Sequence, residues 1–449
     1  MAEVTTATRI NKIAYSFATL GSALVSAAVT IFAYSFYLGV YGDYMTTPEN
    51  LFLIPALLGT ALAIGWWVQA IMNPIAGWIS DRKITRYGRR KIWLLVGAPI
   101  LALSAMAIYF PPSPDLGFFL PIIWLTGFFG LFNAAYAATL VVYLAMIPEI
   151  AFTPEDRTSI STYRQFFYLI GTITGALIGA LIEFELLLVI VLALFSILAF
   201  YVAAFGTKEP SIAEEKAPSV NILTSMKITL QNKPFVHYLG FTIFATAFQS
   251  MLIQSLPVFG KQVIFKGNEN DPLIILGNFL PGAFVITAII AIVPAMYIIH
   301  RIGKRKATIY GLIMAMVITP FLFTVGMIPG MELIQTLIIV LLLGFPAAPL
   351  LILPDSIISD ITDYDEAVHG KRREAMHFAT QGILTRFAGG LSIWFMGILH
   401  GAFGASYPGI LGLLLTGPVA SIFLIIGIII FWRYPEEEVL EAHAKKSQF

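Results

Sequence analysis

The chain has 449 residues, of which 58% are hydrophobic and only 12% charged, and its mean hydropathy is +0.83. A soluble domain carries about twice that charged fraction, so the composition is that of a protein solvated by lipid. With a net charge of +1 nothing points to a nucleic-acid partner, and the lack of cysteine excludes disulfides, thiolate nucleophiles and Cys-ligated metals.

Arg9 and Lys12 precede an apolar stretch from Ile13 to Val40. It is too long for a signal-peptide core and has no small-residue cleavage site, so it reads as a first transmembrane helix. At about 20 apolar residues per crossing, twelve spans follow in chain order: 13–41, 51–80, 92–111, 116–147, 158–182, 185–205, 234–264, 272–299, 308–328, 331–353, 375–402 and 407–432. The fifth and sixth are divided only by a turn at Glu183 and Glu185. The predicted fold class is an all-α integral membrane protein of twelve transmembrane helices.

Lys and Arg are retained on the cytoplasmic side of a membrane. None occurs between Lys12 and Arg82; then Arg82, Lys83, Arg86, Arg89, Arg90 and Lys91 follow span two. Arg301, Lys304, Arg305 and Lys306 follow span eight, and Lys371, Arg372 and Arg373 follow span ten. Lys261 and Lys266, after span seven, run against the pattern. Both termini are thus expected in the cytoplasm, with the chain in a plasma or inner membrane.

The longest break in hydropathy, residues 207–233, reads as a flexible cytoplasmic linker. It separates a six-helix half at 1–206 from a second at 234–435, which is followed by a tail at 436–449. The halves echo each other. Asp81-Arg82 leads to Gly88-Arg89-Arg90-Lys91 in the first, and His300-Arg301 leads to Gly303-Lys304-Arg305-Lys306 in the second. Span four ends at Pro148-Glu149 and span ten at Pro354-Asp355, and the next span of each half contains an arginine, Arg164 or Arg386. Parallel six-helix repeats around a midplane cavity are a transporter arrangement.

Asn73-Pro74-Ile75-Ala76-Gly77-Trp78-Ile79-Ser80-Asp81-Arg82, followed by Thr85-Arg86-Tyr87-Gly88-Arg89-Arg90-Lys91, resembles a signature of the glycoside-pentoside-hexuronide:cation symporters of the major facilitator superfamily. Asp363-Tyr364-Asp365-Glu366 with Gly370-Lys371-Arg372-Arg373-Glu374 is similar to that family's loop between spans ten and eleven. Pro148-Glu149 through Glu155-Asp156-Arg157 to Tyr163-Arg164 is a third match. The resemblance covers nearly the whole chain and implies the superfamily fold, alternating access and a sugar or sugar derivative as solute. Relatives of the family also include lysolipid transporters. A carboxylate at Asp81, set against a helix N-terminus and an arginine, would latch one conformation, with Gly88, Arg89 and Arg90 as partners; a purely topological role for the basic cluster is the alternative.

Thr153-Pro154-Glu155-Asp156 has the pattern of a helix start. From Pro154, Arg164 lies about 15 Å along the helix, and from Glu374, Arg386 lies about 18 Å along its own. Charges at such depth face a cavity or a partner. By resemblance Arg164 falls on the family's sugar-site arginine, and Arg386, with Gln381 before it, on a cavity-lining cation of span eleven. Where family members carry two cation-binding aspartates on span two, this chain has Gln69 and Asn73; the family's sugar-recognising aspartates of spans one and four align with Ala23 and Leu140. Amides can ligate a cation but supply no negative charge, so a proton or no ion is favoured over sodium.

Two arginines with few carboxylates also suit an organic acid, a sugar acid or a phosphate ester held bidentately. Gln165, Gln381, Asn133, Gln249 and Gln254 are further polar groups within spans, and Tyr15, Tyr34, Trp66 and Trp67 are aromatic candidates for stacking on a sugar; interhelical packing competes for each. His237 and His377 are of the residue type able to switch charge near neutrality, but both read as interfacial. Glu149, Asp355, Asp360, Asp363 and Asp365 read as solvated or loop-paired. No metal cluster, phosphate loop or nucleophile elbow occurs, so the chain is expected to be no enzyme, to need no cofactor and to act as a monomer.

Overall fold

The computed structural model describes residues 8–82, 90–151, 153–207, 222–268, 271–369 and 374–439. They divide into two compact units, Met1–Ala217 and Pro218–Phe449. The first holds six long helices: α1 (Arg9–Val40), α2 (Pro48–Arg82), α3 (Lys91–Ile108), α4 (Leu120–Ala145), α5 (Pro154–Gly179) and α6 (Leu187–Gly206). The second holds α7 (Lys233–Phe259), a broken α8 (Leu280–Ile290 and Ile292–Ile302), α9 (Lys304–Ile318), α10 (Glu332–His369), α11 (Glu374–Phe403) and α12 (Leu411–Phe431). Ten described helices are long and apolar enough to cross a membrane, and the bent pair of α8 makes an eleventh. At 26 residues α5 is about 39 Å long, but its acids, arginines and hydroxyls make it the most polar of the set.

In the first unit, α1 packs most extensively on α5. The contact face of α5 is Gly171, Gly175 and Gly179, one small residue per turn. A β-carbon on Gly171 would lie 2.5 Å from the Leu20 carbonyl oxygen, and one on Gly175 2.9 Å from the Leu24 Cα. At Gly171 and Gly175 the α1 backbone and its small Ala23 and Ala27 side chains therefore lie directly against the α5 backbone, and Gly179 leaves room for the Phe32 ring.

Three elements differ from the expectation. Span eight is bent by 45° between its two helices, because Pro294 supplies no N–H and its ring clashes with the Ile290 carbonyl. Ala291, Ala295 and Ala348 pack together at the bend, which brings α10 close. Span ten does not stop at residue 353: α10 runs on to His369, so Asp363-Tyr364-Asp365-Glu366 is helical, not loop. Ile357, Ile358 and Ile361 are buried on one face of the extension, and this helical spacing is hidden from a hydropathy window by Asp360 among them and by the acids on either side. Finally, residues 222–229, read as linker, form a short helix against α11.

The repeat persists within each unit. The Tyr15 hydroxyl of α1 donates to the Tyr143 carbonyl of α4, and the Tyr238 hydroxyl of α7 donates to the Pro354 carbonyl of α10 at 3.0 Å. In both halves a first-helix phenol is tied to the fourth helix.

Candidate solute-binding site

The first half gathers polar groups from α1, α4 and α5. The Tyr15 and Tyr143 rings stack with centroids 4.3 Å apart and 18° between planes. Their hydroxyls are crossed: Tyr143 donates to the Tyr15 carbonyl at 2.9 Å, and the Tyr143 oxygen lies 3.0 Å from Thr19 Oγ1. The Arg164 guanidinium sits over the Tyr143 ring, 5.5 Å from its centroid, and its charge reaches the hydroxyls of both tyrosines. Arg164 is half-buried, and its Nε is buried without a hydrogen-bond partner.

A buried ion pair ties the start of α5 to α1. Asp156 lies in the first turn of α5, whose N-cap Thr153 accepts from the Asp156 amide at 3.1 Å. Its carboxylate meets Lys12 Nζ at 2.5 Å, and both side chains are largely buried. Asp156 lies about 12 Å from Arg164 along α5, and no described carboxylate pairs with Arg164. An aromatic face stabilises a cation without neutralising it, so Arg164 retains donors for an acceptor brought by a solute. Breaking the Lys12–Asp156 pair from one side strands a buried charge. Asp156→Asn is expected to cost about 3 kcal/mol, while Lys12→Met with Asp156→Leu recovers most of it; thermal denaturation of the single and double variants measures the difference.

The other predicted positions are placed as follows. Gln165 is exposed, and as the neighbour of Arg164 it points about 100° away around α5. On α11, Arg386 and Gln381 are half-buried, but five residues turn a helix through about 500°, leaving them about 140° apart. Gln381 Oε1 is buried without a partner, as is Thr380 Oγ1 beside it, while Thr385 donates back to the Gln381 carbonyl at 2.8 Å. Gln69 is buried and Asn73, one turn on along the same face of α2, is half-buried. The Asp81 side chain, Gly88 and Arg89 lie outside the described residues, as do the side chains of Glu149 and Asp355. Arg90 is 8% exposed at the head of α3.

Several candidates prove to be packing. Tyr15 and Tyr34 are fully buried, and Tyr15 stacks on protein, not on an open surface. Asn133 back-bonds to the Phe129 carbonyl at 2.8 Å, one turn earlier on α4. His377 is not interfacial: it is 0% exposed and meets Phe235 edge-on at 4.6 Å. His237 bonds to the Lys233 carbonyl at 2.8 Å. Asp360 pairs with Lys304 at 2.6 Å, and Asp365 accepts from Asn232 at 3.3 Å. Gln254 does emerge: it is 3% exposed with Oε1 unpartnered. Tyr143 escapes sequence reasoning because no signal distinguishes it among eighteen tyrosines. The Gly171-Gly175-Gly179 seam has a signal in the sequence, its four-residue spacing of small residues.

Comparison with known proteins agrees with this architecture. A family model described as MFS/sugar transport protein matches residues 14–438. An isoprimeverose transporter of Lactiplantibacillus pentosus is 24% identical over 414 residues, covering 86% of this chain and 77% of that protein. The sodium-dependent lysophosphatidylcholine symporter 1 of Gallus gallus is 22% identical over 451 residues, covering 88% and 82%. Among solved structures, the D-xylose-proton symporter superposes with a TM-score of 0.65 at 13% identity, covering 94% of this chain and 97% of that one. The nucleoside transporter NupG gives 0.66 at 12% identity, covering 95% and 99%. On the family model's near-complete match and the shared fold, the chain belongs to the MFS/sugar transport protein family and is a multi-pass membrane transporter of solutes.

Proposed function

We propose that the protein moves a sugar or sugar derivative across the membrane by alternating access of two six-helix halves joined through residues 207–233, with both termini cytoplasmic. The observation that carries the site is Arg164: a cation deep in α5, held on the Tyr143 face, with no described carboxylate to neutralise it. Within the second half Arg386 is the proposed solute ligand, and Gln381, about 140° away around α11, does not share its face. Coupling is to a proton or to no ion, since amides stand at Gln69 and Asn73. The protein acts as a monomer in a plasma or inner membrane.

A second reading is favoured by the same observation. Because the Arg164 guanidinium rests on the Tyr143 ring and pairs with no described carboxylate, it suits a solute carrying a carboxylate or phosphate, including the phosphate of a lysolipid. A thermal-shift screen separates the readings. Neutral sugars, their uronates, sugar phosphates and lysophosphatidylcholine are offered to the purified protein, with and without sodium. A ligand at about 100 times its Kd stabilises by about 2.7 kcal/mol. Stabilisation by neutral sugars supports the first reading, and stabilisation by anionic members alone supports the second. A sodium requirement would overturn the assignment of Gln69 and Asn73.

A further inference from the structure

Beyond the solute site, the end of the second half that carries Lys304 and Arg305 contains a reciprocal helix clamp. Helix α9 begins after Gly303, whose φ of +86° suits glycine and which has no side chain to cap the first turn. The missing cap arrives from far along the chain: Glu436 Oε1 accepts from the Arg305 backbone amide at 3.0 Å. In return, Arg305 Nη2 donates to the carbonyl of Trp432, the C-cap residue of α12. An anion thus sits at the positive end of α9 and a cation at the negative end of α12, each satisfying a backbone group that the helix itself leaves open.

The segment that carries Glu436 is docked along its length. Tyr434 is 3% exposed and Val439 1%. The Tyr434 ring stacks on Phe431 at 5.1 Å, and Phe431 lies against Phe241 of α7 at 4.7 Å. Burial, with the nearby charges of Asp360 and Glu436, holds the Tyr434 phenol protonated well above its ordinary range. Asp360 on α10 is in turn the partner of Lys304 at 2.6 Å. One network therefore joins α9, α10, α12 and the segment after it. Glu437 and Glu438, between the buried positions, face outward.

The first half shows half of the same device. Lys91, at the start of α3, donates to the carbonyl of Thr207, the C-cap residue of α6, and the Tyr201 hydroxyl of α6 reaches the Leu95 carbonyl of α3 at 3.1 Å. The basic residues after the second helix of each repeat thus do more than set topology: one of them grips the foot of the sixth helix.

We propose that residues 432–439 are a strap that locks the ends of α9, α10 and α12 into one unit, with Glu436 as the positioning residue that keeps it closed. Drawing the strap away, by a partner or a modification, would remove the cap of α9 and the cation of α12 together. This gives the protein a place where its second half can be loosened without touching the solute site.

The chain has no cysteine, so a single introduced thiol reports on the strap in the full-length protein in nanodiscs. Val439→Cys is expected to react with a polar maleimide at least about tenfold more slowly than Glu438→Cys. Adding Glu436→Gln is expected to raise the Val439→Cys rate by about tenfold or more, the effect of losing a charge-assisted bond, whereas Glu437→Gln leaves it unchanged. Ala420→Cys, buried on α12, should stay protected in the Glu436→Gln background, which distinguishes release of the strap from unfolding. Arg305→Lys gives the same test from the other side if Glu436→Gln does not fold. Equal rates at 438 and 439, or a Val439→Cys rate indifferent to both Glu436→Gln and Arg305→Lys, would overturn the proposal.

Discussion

Arg164→Gln is expected to weaken solute binding by about tenfold to 100-fold and to leave the folded protein intact. The size follows from the loss of a charge-assisted hydrogen bond, about 1.5–3 kcal/mol, which is one to two powers of ten in affinity. The fold should tolerate the change because the guanidinium rests on an aromatic face and pairs with no described carboxylate. Removing it therefore strands no described counter-charge, in contrast to Asp156→Asn. Arg164→Lys keeps the charge but loses the planar fork, so it should recover an anionic solute better than a neutral one. Tyr143→Phe keeps the ring under the guanidinium and removes only the hydroxyl shared with Thr19 and the Tyr15 carbonyl; a smaller loss is expected. Ligand-induced thermal shift and proteoliposome uptake of the same solute measure these outcomes. Arg164→Gln binding with wild-type affinity would remove Arg164 from the site.

Gly175→Val is expected to destabilise the first half by about 3 kcal/mol, the upper end of ordinary overpacking. Most overpacked sites relax by rotating a neighbouring side chain, but here the first atoms met belong to the backbone of α1 at Leu24. Two helices would have to separate, which would also open the contacts at Gly171 and Gly179. A comparison within the same half isolates the cause. A β-carbon added to Gly127 on α4 would meet nothing within 4 Å, so Gly127→Ala should gain up to about 1 kcal/mol from helix propensity alone. Denaturation of the two variants side by side reads the difference, and a well-folded Gly175→Val protein would show that the seam is looser than its geometry.

Class, helical architecture and internal repeat are all legible in the amino-acid sequence. They rest on long apolar runs, on the placement of basic residues and on motifs recurring in the same order, which are local properties of the chain. Arg164 and Arg386 stand out in the same way, because a charge far inside an apolar helix is conspicuous without any structure. Which side chains meet is another matter. Tyr15 and Tyr143 are separated by 128 positions, and only the packing of α1 on α4 turns one from a candidate for sugar stacking into an interhelical lock. His377 reads as interfacial from its place near a helix start, yet its approach to Phe235 buries it. Hydropathy places the end of span ten at residue 353, because averaging cannot see a buried isoleucine face between acids; the helix persists because that face has a neighbour to pack on. The cap of α9 comes from Glu436, 131 positions beyond Arg305, a pairing that no spacing rule reaches. Local chemistry decides what each segment can be, and tertiary contact decides which of its polar groups are satisfied and which, like Arg164 Nε, are left without a hydrogen-bond partner.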